Sequence, residues 1–208
     1  MSALLNLSRL IDRLNTVVGR WVSWLVLAAV LISAANASMR KAFSISSNAY
    51  LEIQWYLFAA VFLLASGYTL LRQEHVKIDV VLSRFARRTQ VKIEIFGYIV
   101  FLAPFVVTVI ALVWPLVVKA FVTGEMSSNA GGLIRWPVYA LVPLGFGLLG
   151  LQGLSELIKR VAFLAGHAPD PSLRKPAKTA EEELAEVIRL RAEADAAAAA
   201  AAQPGAAR

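Results

Sequence analysis

The fold of this chain is decided by the stretch IFGYIVFLAPFVVTVIALVWPLVV, residues 95–118, which contains no Asp, Glu, Lys, Arg or His. As a helix this stretch would rise about 36 Å, more than the hydrocarbon core of a bilayer, which is roughly 30 Å thick. Three similar runs cover residues 21–39, 53–71 and 136–155. Lipid cannot hydrogen-bond an open backbone, and these continuous runs lack the alternation of barrel strands. The sequence therefore predicts an all-α integral membrane protein with four transmembrane helices.

The composition agrees with a membrane protein. Of the 208 residues, 58% are hydrophobic and 17% are charged, and the mean hydropathy is +0.63. Soluble domains are roughly 45–50% apolar and about 25% charged. The chain contains no Cys, which excludes disulfides, thiolate metal sites and cysteine nucleophiles. We attribute the net charge of +7 to basic residues that orient the chain in the membrane. We therefore expect no nucleic-acid partner.

The distribution of Lys and Arg predicts the orientation of the spans. Fourteen of these residues lie in the N-terminal segment, the second connection and the segment directly after the fourth span, against four in the other two connections. Cytoplasmic segments are enriched in Lys and Arg. Both termini are therefore expected in the cytoplasm, and the first and third connections outside. Aromatic residues near the span ends, such as Trp21, Trp55 and Trp136, suit the headgroup region.

The chain is predicted to have three parts. Residues 1–20 carry apolar side chains at helical spacing and are expected to form an amphipathic helix in the cytoplasmic interface, running into the first span. Residues 21–165 form the membrane domain, with a second short interfacial helix after span two. Residues 166–208 form a flexible Ala- and Glu-rich tail, whose removal after Pro169 should leave function intact. Cleavage of a signal peptide near Ala35-Asn36-Ala37 is the alternative for the N-terminal region.

The apolar runs argue against an independent transporter or enzyme. They contain no ionisable side chain, whereas transporters and pumps usually carry such groups at midplane sites. Their few polar residues, such as Gln152, are interpreted as helix–helix hydrogen-bonding groups. His75 and His167 lie outside the runs, which disfavours haem ligation, and no constellation indicates catalysis. We therefore expect a non-catalytic subunit. The alternatives are the membrane anchor of a redox enzyme and a carrier formed by oligomerisation.

Two polar clusters lie at the span ends. The run Arg72-Gln73-Glu74-His75-Val76-Lys77-Ile78-Asp79 places several ionisable residues at the end of the second span. Local ion pairing with headgroup contact, or partner binding, would explain it. The run Ser127–Pro137 contains Gly131-Gly132, which permits a tight turn or the close approach of another chain. Glu52 and Gln54 are predicted to lie on the same outer face.

The chain resembles the small membrane subunit of tripartite ATP-independent periplasmic (TRAP) transporters, the DctQ family. The resemblance covers roughly residues 15–165 and includes the layout of four spans. Its most specific segment is the run from Glu74 to Val80, and no single segment would suffice. The segments that carry it are Glu52-Ile53-Gln54-Trp55, Glu74-His75-Val76-Lys77-Ile78-Asp79-Val80, and Gly131-Gly132-Leu133 before Trp136-Pro137.

The resemblance implies a bacterial or archaeal inner-membrane complex of three components. A periplasmic binding protein captures an organic acid, typically a carboxylate, and a large permease subunit holds the substrate and sodium sites. The small subunit braces the permease as a scaffold, helps receive the binding protein, contacts membrane lipids and carries no cofactor. The residues expected at partner interfaces are Glu52, Gln54, Trp55, Gly131, Gly132 and Trp136 on the periplasmic side, and Arg72, Glu74, His75, Lys77 and Asp79 on the cytoplasmic side.

Overall fold

The computed structural model describes residues 2–44, 47–73, 82, 84–171, 184–185 and 187–192. Within this part of the chain a π-helical turn, Tyr98–Leu102, joins the third α-helix to the fourth, so that Arg87–Thr123 is one continuous helix. The described residues form no named strand, only an isolated antiparallel bridge between Met126 and Ile134. The α-helices are α1 (Ser2–Phe43), α2 (Asn48–Arg72), α3 (Arg87–Gly97), α4 (Ala103–Thr123) and α5 (Trp136–Leu164).

The prediction of an all-α chain with four membrane spans is confirmed. Four continuous helices are long and apolar enough to cross a bilayer: Ser2–Phe43, Asn48–Arg72, Arg87–Thr123 and Trp136–Leu164. Each contains one of the predicted apolar runs and extends beyond it. The extension is largest in α1, whose 42 residues correspond to about 63 Å at 1.5 Å per residue.

The third span contains an irregularity at its proline. Pro104 has no backbone N–H, so it cannot donate to the carbonyl of the preceding turn, and its ring crowds that turn in a regular α-helix. The π-helical turn Tyr98–Leu102 lies immediately before it. A wider turn of this kind accommodates the ring without ending the helix. Pro115 lies inside α4, which continues through it.

The helix α5 lies at the centre of the bundle, because each of the other helices contacts it. Glycines permit the closest approaches. A Cβ added to Gly145 of α5 would lie 2.6 Å from the carbonyl oxygen of Leu63 in α2, and one added to Gly67 of α2 would lie 3.0 Å from the carbonyl oxygen of Leu148. Only a residue without a Cβ allows the two backbones to pack at this distance.

The N-terminal part of α1 is continuous with the first span and packs on the bundle through its polar side. Ser8, Ile11 and Asn15 are buried, whereas Leu10 and Leu14 are exposed. The helical spacing predicted for residues 4–18 is therefore present, and most of its apolar positions point away from the rest of the chain. The interfacial location of this segment stays a prediction.

The chain divides into two compact units, residues 1–171 and residues 172–208. All of the contacts described above lie in the first unit. In the second unit, residues 187–192 are helical and their side chains are exposed. The alanine run from 196 to 202 lies outside the described residues.

Candidate functional site

The bundle carries two polar sites at opposite ends, one along α1 and α5 and one around Glu52. The first is here named the charged seam. It follows from two polar stripes at helical spacing, which place their members on one face of each helix. Neither stripe interrupts its helix, since both helices are continuous. The residues of the charged seam are Ser8, Asp12 and Asn15 on α1, Glu94 on α3, and Gln152, Ser155, Glu156, Lys159 and Arg160 on α5.

Hydrogen bonds in the charged seam join α1 to α5. The Asp12 carboxylate accepts bonds from Gln152 Nε2 at 3.0 Å and from Ser155 Oγ at 2.8 Å, and Lys159 Nζ lies 2.8 Å from it. One turn further along α1, Asn15 Nδ2 donates to Gln152 Oε1 at 3.0 Å. These bonds explain why the polar side of α1, and not its leucines, faces the bundle, because buried polar groups require partners.

Arg160 extends the charged seam from α5 to α3. Its Nε donates to Glu94 Oε2 at 2.6 Å, and its Nη1 donates to Glu156 Oε2 at 2.5 Å. The side chain is only 1% exposed. The guanidinium also lies over the ring of Tyr98, 4.9 Å from the ring centroid, in a cation–π contact. One arginine therefore connects both carboxylates and an aromatic ring of the π-helical turn.

The charged seam contains a connected network of three carboxylates and two cations. Lys159 bonds to Glu156 as well as to Asp12, so each cation is shared between two acids. Low local polarity strengthens each bond and raises the cost of losing one partner. A network of this kind holds three helices in a fixed arrangement.

Sequence analysis missed most of the charged seam. The predicted fourth span ends at residue 155, before the first charged residue, and Lys159 and Arg160 count there only as basic residues of the segment that follows. Only Gln152 was identified, as a helix–helix hydrogen-bonding group, and its bond to Asn15 agrees with that interpretation. The available signal was the common periodicity of polar residues on α1 and α5, which indicates two polar faces that could meet.

A groove lies beside the charged seam, between α2, the π-helical turn and α5. Its volume is about 690 Å³. Its walls are mainly apolar, with Phe101, Phe105 and Leu149 among them, and Glu94 and Arg160 lie at one end. These two charged groups already bond to each other at 2.6 Å. Among the described residues, no group of three or more acidic or histidine side chains is placed to hold a metal ion.

The second site is at the opposite end of the bundle, where Glu52 holds the loop before α5. The Glu52 side chain accepts a bond from the backbone N–H of Leu133 at 2.7 Å and one from Asn129 Nδ2 at 2.7 Å. The hydroxyl of Ser127 also donates to it. Glu52 is only 5% exposed. A single carboxylate near the start of α2 therefore fixes a loop about 80 positions later in the sequence.

The tandem glycines permit this close approach. A Cβ added to Gly132 would lie 2.9 Å from Glu52 Oε1, and Gly131 adopts a positive φ of 71° that disfavours other residues. Two further bonds join α2 to the loop. Tyr56 Oη donates to the carbonyl of Ile134 at 3.0 Å, and Asn48 Nδ2 donates to the carbonyl of Ala130 at 3.0 Å.

The start of α5 is stabilised by contacts of its own. Arg135 Nη1 lies 3.3 Å from Glu125 Oε1 and 3.4 Å from the hydroxyl of Tyr139. The hydrogen bond and the charge interaction with Tyr139, followed by the contact with Glu125, raise the pKa of Arg135 above its ordinary value. Trp136 packs edge-to-face on Phe121, with ring centroids 5.4 Å apart. These contacts connect the loop to the end of α4.

The structure places the remaining predicted interface residues as follows. Gln54 is half-buried, and its Nε2 has no acceptor among the described residues. Trp55 is 70% exposed. Arg72 is exposed at the other end of α2, where its Nε donates to Tyr68 Oη at 2.8 Å. The residues of the predicted cluster that lie outside the described residues are Glu74, His75, Lys77 and Asp79.

Long apolar helices joined by a buried polar network define a multi-span membrane protein. The family comparison identifies the class more closely. The model of the DctQ component of the tripartite ATP-independent periplasmic transporters matches residues 29–163. The chain therefore belongs to the DctQ family, a non-catalytic family of transporter components. Neither a curated protein nor a solved structure matches the chain.

Proposed function

We propose that this chain is the scaffold of a TRAP secondary transporter. It braces the large permease subunit and helps to dock the periplasmic binding protein, for sodium-driven uptake of an organic acid such as a carboxylate. The membership of the DctQ family supports the presence of these partners. In this proposal sodium and substrate bind to the large subunit, and the small subunit supports that subunit structurally.

The observation that carries the scaffold proposal is the charged seam. A moving element needs alternative contacts of similar free energy, because a conformational change requires two accessible states. In the charged seam, Arg160 satisfies Glu94 and Glu156 at the same time, and Lys159 satisfies Asp12 and Glu156. Moving α1 or α3 relative to α5 would separate these buried charges. The network favours a bundle that moves as one body beside the permease.

We further propose an inner-membrane location with both termini in the cytoplasm, in a bacterium or an archaeon. The excess of Lys and Arg in the terminal segments and the second connection supports this orientation. The loop held by Glu52 would then face the periplasm, and the charged seam would lie near the cytoplasmic surface. The exposed apolar side chains of the helices would contact lipid and the permease.

In this proposal the periplasmic end offers the surface for the binding protein. Glu52 holds the loop in shape, and the exposed ring of Trp55 lies only three residues away on the same helix. Aromatic residues are enriched at the centres of protein interfaces. In this proposal Glu52, Gly131 and Gly132 shape the surface from within, while Trp55 contacts the partner. Gln54 and Trp136 are proposed as neighbours of that contact.

The cytoplasmic interface can be tested through the cluster that follows α2. The double substitution Glu74→Ala and His75→Ala should weaken assembly with the large subunit, and so should lower uptake. The measurement is co-purification of the permease with a tagged small subunit, together with transport in the same membranes. A matched control is Lys92→Ala, an exposed charged residue of α3. If the double variant co-purifies with the permease and supports uptake at wild-type levels, the cluster is only a solvated span end.

The docking proposal needs a separate experiment, because it concerns another partner. Trp55→Ala should lower the affinity of the assembled transporter for the loaded binding protein and leave permease co-purification unchanged. Trp24→Ala, which removes an exposed ring from α1, is the control. If both variants bind the loaded binding protein as tightly as the wild type does, Trp55 is not part of the docking surface.

A further inference from the structure

The segment that follows α5 turns back onto the bundle and forms an ion pair with α3. Asp170 accepts two hydrogen bonds from Arg87, with Nε to Oδ2 at 2.5 Å and Nη2 to Oδ1 at 2.8 Å. This two-bond geometry fixes the orientation of both planar groups, which a single contact does not. The Asp170 side chain is only 8% exposed and that of Arg87 is 34% exposed, so the carboxylate is shielded from water while the arginine is partly hydrated.

The next residue binds the end of another helix. The carbonyl of Pro171 accepts a hydrogen bond from Gln73 Nε2 at 3.1 Å. Gln73 is the C-cap of α2, has a left-handed backbone with φ of 59°, and donates its own N–H to the carbonyl of Leu70. This backbone conformation ends the helix. Pro171 therefore holds the residue at which α2 stops.

These two contacts bracket the connection between α2 and α3. Gln73 precedes this connection and Arg87 follows it. A third residue continues the bonding, because Arg87 Nη1 donates to Gln90 Oε1 at 2.8 Å and Gln90 Nε2 donates to the carbonyl of Phe85 at 2.9 Å. Both ends of the connection are thus bonded, directly or through α3, to two consecutive residues after α5.

We infer that Asp170 and Pro171 form a clamp that fixes both ends of the connection between α2 and α3. The clamp lies beyond residues 29–163, which the family model matches. In this inference the part of the chain that the bundle requires extends to Pro171, and the dispensable tail begins after it. A truncation after Pro169, expected from the sequence to be harmless, would remove the clamp, whereas one after Pro171 would retain it. Asp170 and Pro171 are positioning residues that orient the connection for assembly.

The clamp can be tested on the small subunit alone, because the chain contains no Cys. Spin labels would be attached at Arg84→Cys, within the connection near its second end, and at Val161→Cys, an exposed position of α5. Pulsed electron spin resonance then gives the distribution of distances between the two labels. Asp170→Asn and the truncation after Pro169 should each widen this distribution by about twofold. The truncation after Pro171 should reproduce the width measured for the full chain.

A charge exchange separates the ion pair from other effects of substitution. Arg87→Asp or Asp170→Arg alone should widen the distribution, and the two together should restore most of the original width. An unchanged width in Asp170→Asn, or equal widths in the two truncations, would overturn the clamp. A thermal unfolding curve for each variant confirms that the bundle remains folded during these measurements.

The significance of the clamp for assembly rests on the proposed function, and its failure can be recognised separately. The truncation after Pro169 should reduce co-purification of the permease severalfold relative to the truncation after Pro171. If the wild-type subunit itself retains no permease, the proposed function fails while the distance measurement still decides the clamp. If the wild type retains permease and both truncations retain it equally, the clamp has no role in assembly and the inference is overturned.

Discussion

Replacing Arg160 with Met should destabilise the bundle severely, because this side chain joins two carboxylates across two helices. Met keeps the apolar stem and removes the charged group. Glu94 then loses its 2.6 Å bond to Arg160, and Glu156 loses its 2.5 Å bond. Glu156 retains Lys159 at 2.7 Å, so Glu94 becomes the less compensated acid. The formal charge of the seam changes from −1 to −2.

The expected magnitude follows from the burial of these groups. Removing one partner of a buried ion pair costs about 3–5 kcal/mol, because the remaining charge stays away from water. Arg160 is 1% exposed and Glu156 is 2% exposed, whereas Glu94 is 15% exposed and can be partly hydrated. We therefore expect a cost near the lower end, about 3 kcal/mol. Adding Glu94→Gln to Arg160→Met restores the charge of the seam and should recover at least about 1 kcal/mol.

The assay is unfolding in detergent micelles with increasing sodium dodecyl sulfate, followed by circular dichroism. Arg88→Met is the matched control, since Arg88 is an exposed arginine of α3, and it should change the free energy of unfolding by less than about 0.5 kcal/mol. Equal effects of Arg160→Met and Arg88→Met would refute the reasoning. So would strictly additive effects of Arg160→Met and Glu94→Gln, because residues in one network must couple.

Two further predictions concern packing and the loop. Gly145→Ala should cost about 1–3 kcal/mol in the same assay, because its Cβ would lie 2.6 Å from the carbonyl oxygen of Leu63. Gly147→Ala should be neutral or slightly stabilising, since no atom lies within 4 Å of its added Cβ. Glu52→Ala should speed amide hydrogen exchange in the loop it holds much more than Tyr56→Phe, which removes a single bond worth about 0.5–1.5 kcal/mol. Similar costs for the two glycine variants, or similar exchange rates for the two loop variants, would contradict these assignments.

The membrane spans were predictable because apolar runs alone determine them. Residues 95–118, for example, lie inside the continuous helix Arg87–Thr123. The helix ends were less predictable, since three predicted runs stop before Arg40, Lys119 or Glu156 although the helices continue beyond these residues. Arg160 illustrates this, because its ion pairs with Glu94 and Glu156 allow a charged side chain to be buried in α5. The sequence of one segment does not reveal which residues of other helices will pair with its charged side chains.

The partner interface stays a prediction, but the structure shows which of its residues lie together. Glu52, Gly131 and Gly132 were expected at one end of the bundle, and the structure brings Glu52 into contact with the loop that contains both glycines. Which backbone groups Glu52 binds depends on packing between α2 and a distant loop, which the sequence pattern does not contain. The contact between Asp170 and Arg87 spans 83 positions and was unpredictable for the same reason.

The most direct test of the scaffold proposal is a pull-down from native membranes. The tagged full-length chain would be extracted in a mild detergent, and its partners would be identified and quantified by mass spectrometry. The account predicts that a large multi-span permease is retained in near-equal amount. Recovery of the chain alone, or with a haem-containing or other redox enzyme in place of a permease, would contradict it.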